Sequence, residues 1–328
     1  MSTTNFGSVT QHQAVDGPLT SSATFLVVSA RPGNEAIQSI RSTLSSIDGL
    51  VKNVAIRHLG GSSHNLTCIV GVGSDFWNVL TRLPRPAQLR RFPILRGAVH
   101  STVSTPGDLL FHIRSDRRDL CFEFERQLMS SGQLGEAVDV VDETVGFRYF
   151  DARDLLGFVD GTANPVGPEA LTSAVVQQDD DANGVGGSYV VVQKYLHNLA
   201  RWNILKVEQQ ETIIGRTKLD NVELDDADAD AGQQCSHKTL TTIDDEHGVE
   251  HDILRDNMPF GSPASGEFGT YFIGYSRNLW VTEKMLERMF IGNGKHDQIL
   301  DFSTPVTGGT FFAPSMEMLA TLGDKNDK

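Results

Sequence analysis

Three short segments of the chain carry polar residues whose types could perform chemistry together. Asp160 is the only acid in the run GFVDGTANP, where its neighbours are small, apolar or turn-forming residues. Arg255 and Asn257 lie two residues apart in ILRDNMPFG, so both would point the same way along an extended segment. A carboxylate can transfer a proton, a guanidinium can stabilise negative charge, and the imidazole of His237 in CSHKTL can bind a metal.

A second pair of histidines offers a different metal site. His247 and His251 are four residues apart in EHGVEH, a spacing that would place both imidazoles on one face of a helix. Glu246 or Glu250 could then complete a zinc site. Gly248 and the acidic, hairpin-like context argue against such a helix. A metal-dependent hydrolase stays open as an alternative function.

Several segments of the chain resemble, in order, the bacterial B-type branch of the dye-decolorizing peroxidase family. GFVDGTANP resembles the family's GxxDG signature, SHKTL its segment with the haem-ligating histidine, and LRDNMPFG with the later GTYFIGYSR its distal arginine segment. RWNILKVEQQETIIGRTKLD and LDFSTPVTGGTFFAPS resemble two further blocks of the family. The resemblance covers residues 23–318, and the shared order of several blocks makes it specific.

The resemblance implies a haem peroxidase that reduces hydrogen peroxide and oxidises phenols, dyes or other small aromatic reductants in one-electron steps. By this resemblance His237 is the axial ligand of the haem iron, Asp160 the distal acid and base, and Arg255 the distal cation. Asn257 would hydrogen-bond bound peroxide or water. Because the sequence has no CxxCH motif, the implied cofactor is haem b without covalent links. A protein that carries haem or handles its iron, with incidental peroxidase activity, is the alternative.

Further residues are expected to support the haem. We expect Asp301, in LDFST, to accept a hydrogen bond from the second ring nitrogen of the axial histidine. We expect Arg216, in IIGRTK, to pair with a haem propionate. Gly161 and Thr162 belong to the GxxDG turn, where the backbone can approach the porphyrin closely. Position 163 is Ala where B-type relatives often carry Glu, so manganese oxidation through that position is not expected.

Hydrophobic periodicity predicts the elements that must position these residues. In the first half it predicts strands at 23–31, 65–73, 107–115 and through Phe147 and Tyr149, and helices at 34–50 and 120–131. In the second half it predicts strands at 188–198 and 269–277, a helix that starts near residue 199, and a helix at 282–292 capped by Thr282.

Each half of the chain thus has the order of a split βαβ unit. We predict an α+β fold of two tandem ferredoxin-like domains with antiparallel sheets, and we place the haem in the C-terminal domain. A long acidic stretch interrupts the second unit, and its length indicates a functional loop. The predicted boundaries are a flexible N-terminal segment at 1–22, domains at 23–150 and 151–318, and a tail at 319–328.

Composition excludes several classes of partner. A formal net charge of −14 disfavours nucleic acid, since binding of phosphates needs clustered cationic side chains. The sequence has no apolar run long enough to cross a membrane, and its N-terminus is polar. Three widely spaced cysteines do not suggest a disulfide framework. We expect a cytoplasmic protein, and the family resemblance implies a homo-oligomer.

Overall fold

The structure, a computed structural model, describes residues 11–56, 64–226, 233–292 and 294–323. Its strands are β1 (Ser22–Ala30), β2 (Thr67–Gly73), β3 (Leu109–Ser115), β4 (Val138–Phe147), β5 (Ser188–His197), β6 (Leu254–Arg255), β7 (Met258–Ser262), β8 (Glu267–Ser276), β9 (Ser303–Pro305) and β10 (Gly309–Ala313). Its helices are α1 (Asn34–Ser45), α2 (Ile47–Ala55), α3 (Trp77–Leu80), α4 (Arg118–Leu128), α5 (Pro168–Ala174), α6 (Leu199–Trp202), α7 (Val207–Ile214), α8 (His237–Thr241), α9 (Leu279–Phe290) and α10 (Met316–Thr321). A 3₁₀ turn at Gln298–Asp301 precedes β9.

The N-terminal half is an antiparallel sheet in the order β4-β1-β3-β2, as expected for a ferredoxin-like domain. The apolar and β-branched run of β1, SATFLVVSA, is buried on both faces over its first seven residues. Helices α1, α2 and α4 supply apolar side chains to the core on one face of this sheet. The predicted elements of this half are confirmed with two differences. The helix expected at 34–50 is divided at Ser46, and the last strand runs from Val138 to Phe147 and does not include Tyr149.

The C-terminal half repeats the arrangement, with its strands in the order β10-β5-β8-β7. The predicted two-domain α+β fold is therefore confirmed. One detail was wrong, because α9 begins at Leu279 after Asn278 rather than at a Thr282 cap. Thr282 is buried inside the helix, so its side chain does not cap the N-terminus.

The two half-sheets join into one closed barrel. The pair β2–β10 connects one edge of each half, and Gly146 of β4 pairs with Phe260 of β7 at the other edge. Together with the long β5–β8 pair, these contacts close a ring of eight antiparallel strands. The sequence predicts both halves but not this closure, because periodicity does not identify the partner of an edge strand.

The inside of the barrel combines aromatic rings with a buried ion pair. Phe25 of β1 stacks between His112 of β3 and Tyr271 of β8, at centroid distances of 4.7 and 4.1 Å. Arg114 donates to the carboxylate of Asp256 at 2.8 Å, and both side chains are almost fully buried. Burial, together with the positive charge of Arg114, lowers the pKa of His112 to about 3. These contacts link the two halves across the barrel.

The described part of the N-terminal segment is packed rather than free. The Gln13 side chain exchanges hydrogen bonds with the backbone of Val70 and donates to Pro314 O, and Val15 is buried. The expectation of flexibility therefore does not hold for residues 11–21, while residues 1–10 lie outside the described part. Helix α10 extends through Thr321 into the expected tail. None of the helices in the described ranges has the length and apolar character that a membrane crossing needs.

Candidate active site

A deep cavity lies on the outer face of the C-terminal half-sheet, between β5, β8 and helix α9. The cavity has a volume of about 230 Å³ and is partly open to solvent. Its apolar walls include Leu156, Phe158, Ile253, Phe272, Met285, Leu286, Met289 and Ile299. The cavity therefore suits a mainly apolar ligand.

The glycine turn of the GFVDGTANP segment brings Asp160 to the cavity wall. The backbone N–H of Asp160 donates to Ala152 O at 2.8 Å, which fixes the start of the turn. Gly161 follows with φ +80°, a left-handed conformation that glycine adopts without strain. The Asp160 carboxylate accepts a long hydrogen bond from Asn257 Nδ2, at 3.4 Å. The predicted acid and asparagine thus meet at one point of the wall.

Arg255 and Asn257 both line the cavity, whereas Asp256 between them points into the barrel. This alternation confirms the expected direction of the two side chains along an extended segment. The orientation of the Asn257 amide is fixed by a second contact, because its Oδ1 accepts a hydrogen bond from Ile273 N at 3.1 Å. Asp256, absent from the sequence prediction, fixes the same segment through its ion pair with Arg114.

Asn164 connects the two distal segments, a role that the sequence prediction missed. Its Nδ2 donates to Arg255 O at 2.7 Å, and its Oδ1 accepts from Arg255 N at 3.1 Å. The same Oδ1 lies 3.4 Å from Arg255 Nε. One side-chain amide therefore clasps both backbone groups of Arg255 and contacts its guanidinium. The only sequence signal was the position of Asn164 in the same short motif as Asp160.

Replacing Asn164 with alanine is expected to lower the rate of reaction with hydrogen peroxide by roughly tenfold, because Arg255 loses the clasp that positions it. Haem content and the resting absorption spectrum should stay unchanged. Stopped-flow measurement of the haem-loaded variant against Asn203→Ala, which removes an amide on another segment, checks this. Equal rates for the two variants would contradict the positioning role.

His237 begins the short helix α8 and lines the same cavity. Ser236 caps the helix by accepting from Thr239 N at 3.3 Å. The ring Nδ1 of His237 lies 2.7 Å from Asp297 Oδ2, and Asp297 is completely buried. Because an ionised carboxylate only accepts, Nδ1 carries the proton and Nε2 keeps its lone pair. The side chain is thus prepared to bind a metal through Nε2.

Two other histidines line the cavity, but their ring nitrogens are engaged elsewhere. His197 Nδ1 lies 2.8 Å from Ser303 Oγ and its Nε2 lies 2.9 Å from Thr270 Oγ1. Burial lowers the pKa of His197 to about 4, so the ring is neutral. His251 Nε2 lies 3.1 Å from Asp245 Oδ2. Of the three imidazoles, His237 has the arrangement of an axial ligand.

Asp301 does not have the predicted role of accepting from His237. Its Oδ1 lies 2.8 Å from His100 Nε2 and 3.0 Å from His296 Nε2. Asp297, at the start of the same 3₁₀ turn, takes the predicted position beside His237. The two carboxylates lie at opposite ends of the turn, which directs them to different neighbours.

Arg216, the residue expected to pair with a haem propionate, lines the cavity. Arg216 donates to Glu223 at 2.7 Å and to Asn221 O at 3.2 Å. Asn221 Nδ2 in turn donates to Thr162 Oγ1 at 2.9 Å. Arg216 lines the cavity but is already paired with the carboxylate of Glu223. A propionate would therefore have to share Arg216 with Glu223 or displace Glu223.

Asp154 is a second acid at the cavity. Burial of the carboxyl group raises the pKa of Asp154 to about 7, a hydrogen bond from Phe158 N opposes this rise, and the charge of Asp160 adds to it. The folded protein therefore holds a proton on Asp154 between about pH 4 and 7 that the unfolded chain does not hold. The contribution of this proton to the free energy of unfolding is complete at low pH and is lost as the pH rises toward 7.

Asp154→Asn is expected to raise the free energy of unfolding at pH 8 by about 1–4 kcal/mol and to leave it unchanged at pH 4, because the amide is neutral throughout. Denaturant unfolding of the haem-loaded protein across this pH range measures the effect. The control Asp179→Asn, at an exposed position, should follow the wild-type profile. A variant with the wild-type pH profile would contradict the assignment.

His247 and His251 do not form the helical zinc pair. Asp244 and Glu250 form a β-bridge around Gly248, whose φ is +75°, so the segment is a hairpin turn. The side chain of His247 is 77% exposed. In the described ranges, neither histidine belongs to a cluster of three potential metal ligands.

The residues present fit a haem group. The lining supplies an imidazole whose Nδ1 bonds to a buried carboxylate, together with an acid, a guanidinium and an amide. The rest of the lining is mainly apolar, as a porphyrin requires. A haem bound here would find one imidazole for its iron and polar groups for its substrate.

Comparison with known proteins agrees with this arrangement. A dye-decolorizing peroxidase of Brevibacterium linens is 51% identical over 315 residues, which cover 95% of this chain and 82% of that protein. One of Mycobacterium tuberculosis is 49% identical, covering 94% and 89%. The solved structure of a DypB variant from Rhodococcus jostii RHA1 in complex with haem has a TM-score of 0.89 and 54% identity, and covers 95% of this chain and 98% of that chain.

Family assignment rests on both halves of the chain. Residues 12–148 match the N-terminal domain of Dyp-type peroxidases, and residues 151–318 match the C-terminal domain. The two matched ranges meet between the two half-sheets of the barrel. The chain therefore belongs to the Dyp-type peroxidase family.

Proposed function

We propose that this haem-dependent peroxidase reduces hydrogen peroxide in the cavity between His237 and Arg255 and oxidises small aromatic reductants, such as phenols or dyes, in one-electron steps. One observation carries the proposal: a single cavity is lined by His237, backed by Asp297, and by Asp160, Arg255 and Asn257. Haem b, when bound, would supply the iron that accepts peroxide and the electrons that reduce it.

Each distal residue has a distinct role in this proposal. The Asp160 carboxylate takes a proton from one peroxide oxygen and returns it to the other, which leaves as water. The Arg255 guanidinium stabilises the negative charge on the departing oxygen. Asn257 orients Asp160 through its Nδ2, and its own position is fixed by Ile273 N. Asn164 keeps the Arg255 segment in register with the Asp160 turn.

The residues on the side of His237 and around the porphyrin edge also have distinct proposed roles. His237 would bind the iron through Nε2, and Asp297 fixes the ring and increases its basicity by accepting from Nδ1. Gly161 and Thr162 would allow the turn to approach the porphyrin, and Arg216 would contact a propionate while it stays paired with Glu223. Asp301 has no place in this set, because it bonds to His100 and His296.

We further infer that the protein acts in the cytoplasm as a homo-oligomer. The three cysteines are unpaired in the structure, which is typical of a reducing compartment and supports the location. Family resemblance supports the self-association. Size-exclusion chromatography with light scattering tests the oligomer, and a monomer at micromolar concentration would contradict it.

Absorption spectroscopy of the haem-loaded protein tests the peroxidase function. We expect a Soret band typical of a histidine-ligated ferric haem, and a shift of that band after one equivalent of hydrogen peroxide that a phenol reverses. A stable Soret band that peroxide leaves unchanged would instead indicate a haem carrier. A protein that binds no haem and hydrolyses esters with added zinc would support the hydrolase alternative.

A further inference from the structure

A cluster of two histidines and one aspartate lies between the two halves of the chain, apart from the distal residues. His100 comes from the N-terminal half, and His296 and Asp301 come from the segment after α9. The Nε2 atoms of both histidines lie within 3.0 Å of the same carboxylate oxygen of Asp301. The potential ligand atoms of the three side chains all lie within 4.8 Å of one another. We call these three residues the His100 cluster.

The backbone holds each member of the His100 cluster in place. The hairpin that carries His100 is closed by Gly97 N to His100 O at 3.0 Å, and a side chain at Gly97 would lie 1.9 Å from Phe290 O at the end of α9. His296 O accepts from Gln234 at 3.0 Å. Asp301 O accepts from Arg201 at 3.3 Å. Each of the three residues is therefore held by a hydrogen bond to its own backbone carbonyl.

The donor set suits a particular class of cation. Two imidazole nitrogens and one carboxylate oxygen favour zinc and similar divalent transition metals over magnesium or calcium, which prefer oxygen ligands. Ligands of a tetrahedral zinc at about 2.0–2.1 Å are separated by about 3.3 Å. The two observed nitrogen–oxygen distances need to increase by only a few tenths of an ångström. The side chains are 22–33% exposed, so water can reach the remaining coordination positions.

We propose that His100, His296 and Asp301 form a binding site for one divalent cation of the zinc class, which ties the N-terminal hairpin to the segment after α9. Binding replaces the shared hydrogen bonds to Asp301 with metal–ligand bonds, and each neutral imidazole then carries its proton on Nδ1, so that Nε2 can bind the cation. The tied segment also carries Asp297, the partner of His237. The site thus reinforces the support of the axial histidine from outside the haem cavity.

Equilibrium dialysis of the haem-loaded protein against zinc chloride, followed by elemental analysis, tests the proposal. Loading with haem keeps zinc away from His237, and iron is counted separately from zinc. We expect one zinc per chain for the wild type and for His247→Ala, which removes an exposed histidine. We expect His100→Ala and the near-isosteric Asp301→Asn to weaken zinc binding more than about tenfold. Zinc should raise the Tm of the wild type but not of these two variants.

Three outcomes would overturn the proposal. They are a wild type that takes up no zinc, cluster variants that bind zinc as tightly as the wild type, and loss of zinc in His247→Ala alone. An unchanged Soret band shows that a variant is folded. If His100→Ala fails that criterion, Asp301→Asn and His296→Gln decide the question by the same measurement.

Discussion

His237→Ala, which removes the proposed axial imidazole, is expected to lower haem affinity by more than about 100-fold and the peroxidase kcat/KM by roughly 10²–10⁴. The expected loss is large because His197 and His251, the other imidazoles at the cavity, already have partners on the nitrogens that would bind iron. Haem titration followed at the Soret band measures the affinity, and steady-state assays measure kcat/KM.

Three further samples make the His237 experiment specific. His247→Ala removes an exposed histidine and should behave as the wild type. Asp297→Asn keeps the imidazole but removes the buried negative charge beside it, so haem should bind while its reduction potential rises. Added imidazole should restore part of the spectrum of His237→Ala. A His237→Ala protein with wild-type ligation and activity would refute the axial assignment.

The second large effect is expected at Arg255. Arg255→Leu should slow the reaction with hydrogen peroxide by roughly 10²–10³, because the departing oxygen loses its cation in a site of low polarity. Haem binding should be unchanged, since the proposed ligand of the iron is His237 and not Arg255. Stopped-flow mixing with peroxide measures the rate constant directly.

A matched arginine controls for the loss of charge. Arg277→Leu removes a guanidinium that pairs with Asp180 outside the cavity, and it should react at the wild-type rate. Arg255→Lys keeps the charge but loses the planar fork, so its rate should lie between those of wild type and Arg255→Leu. If Arg255→Leu reacts at the wild-type rate, the charge on the departing oxygen is stabilised by another group.

Sequence reasoning found the distal residues because they are close together along the chain or in familiar motifs. Asp160, Arg255 and Asn257 line one cavity as predicted, and the alternation around Asp256 follows from extended geometry. It missed Asn164, because a side chain that bonds to backbone carries no pattern of its own. Contacts of that kind depend on which loops lie next to each other in the fold. Hydrophobic periodicity carries no information about this.

The prediction placed Asp301 beside His237, where the structure has Asp297, and this error has a related cause. Both acids lie in the segment DQILD, and a sequence view cannot tell which end of a short turn faces His237. A useful signal was present, because Asp297 caps the turn by accepting from Ile299 N at 3.0 Å. Its other oxygen is thereby directed to His237. The partner of Asp301, His100, comes from the other half of the chain and could not be placed.

The closed barrel also determines how a truncated form of the protein would behave. A fragment of residues 151–318 would retain the haem cavity on its outer face, yet it would leave β7 and β10 with open hydrogen-bonding edges. It would also expose the aromatic lumen around Tyr271, which Phe25 of the other half covers. Such a fragment is expected to aggregate. The catalytic half therefore depends for solubility on a half that contributes no distal residue.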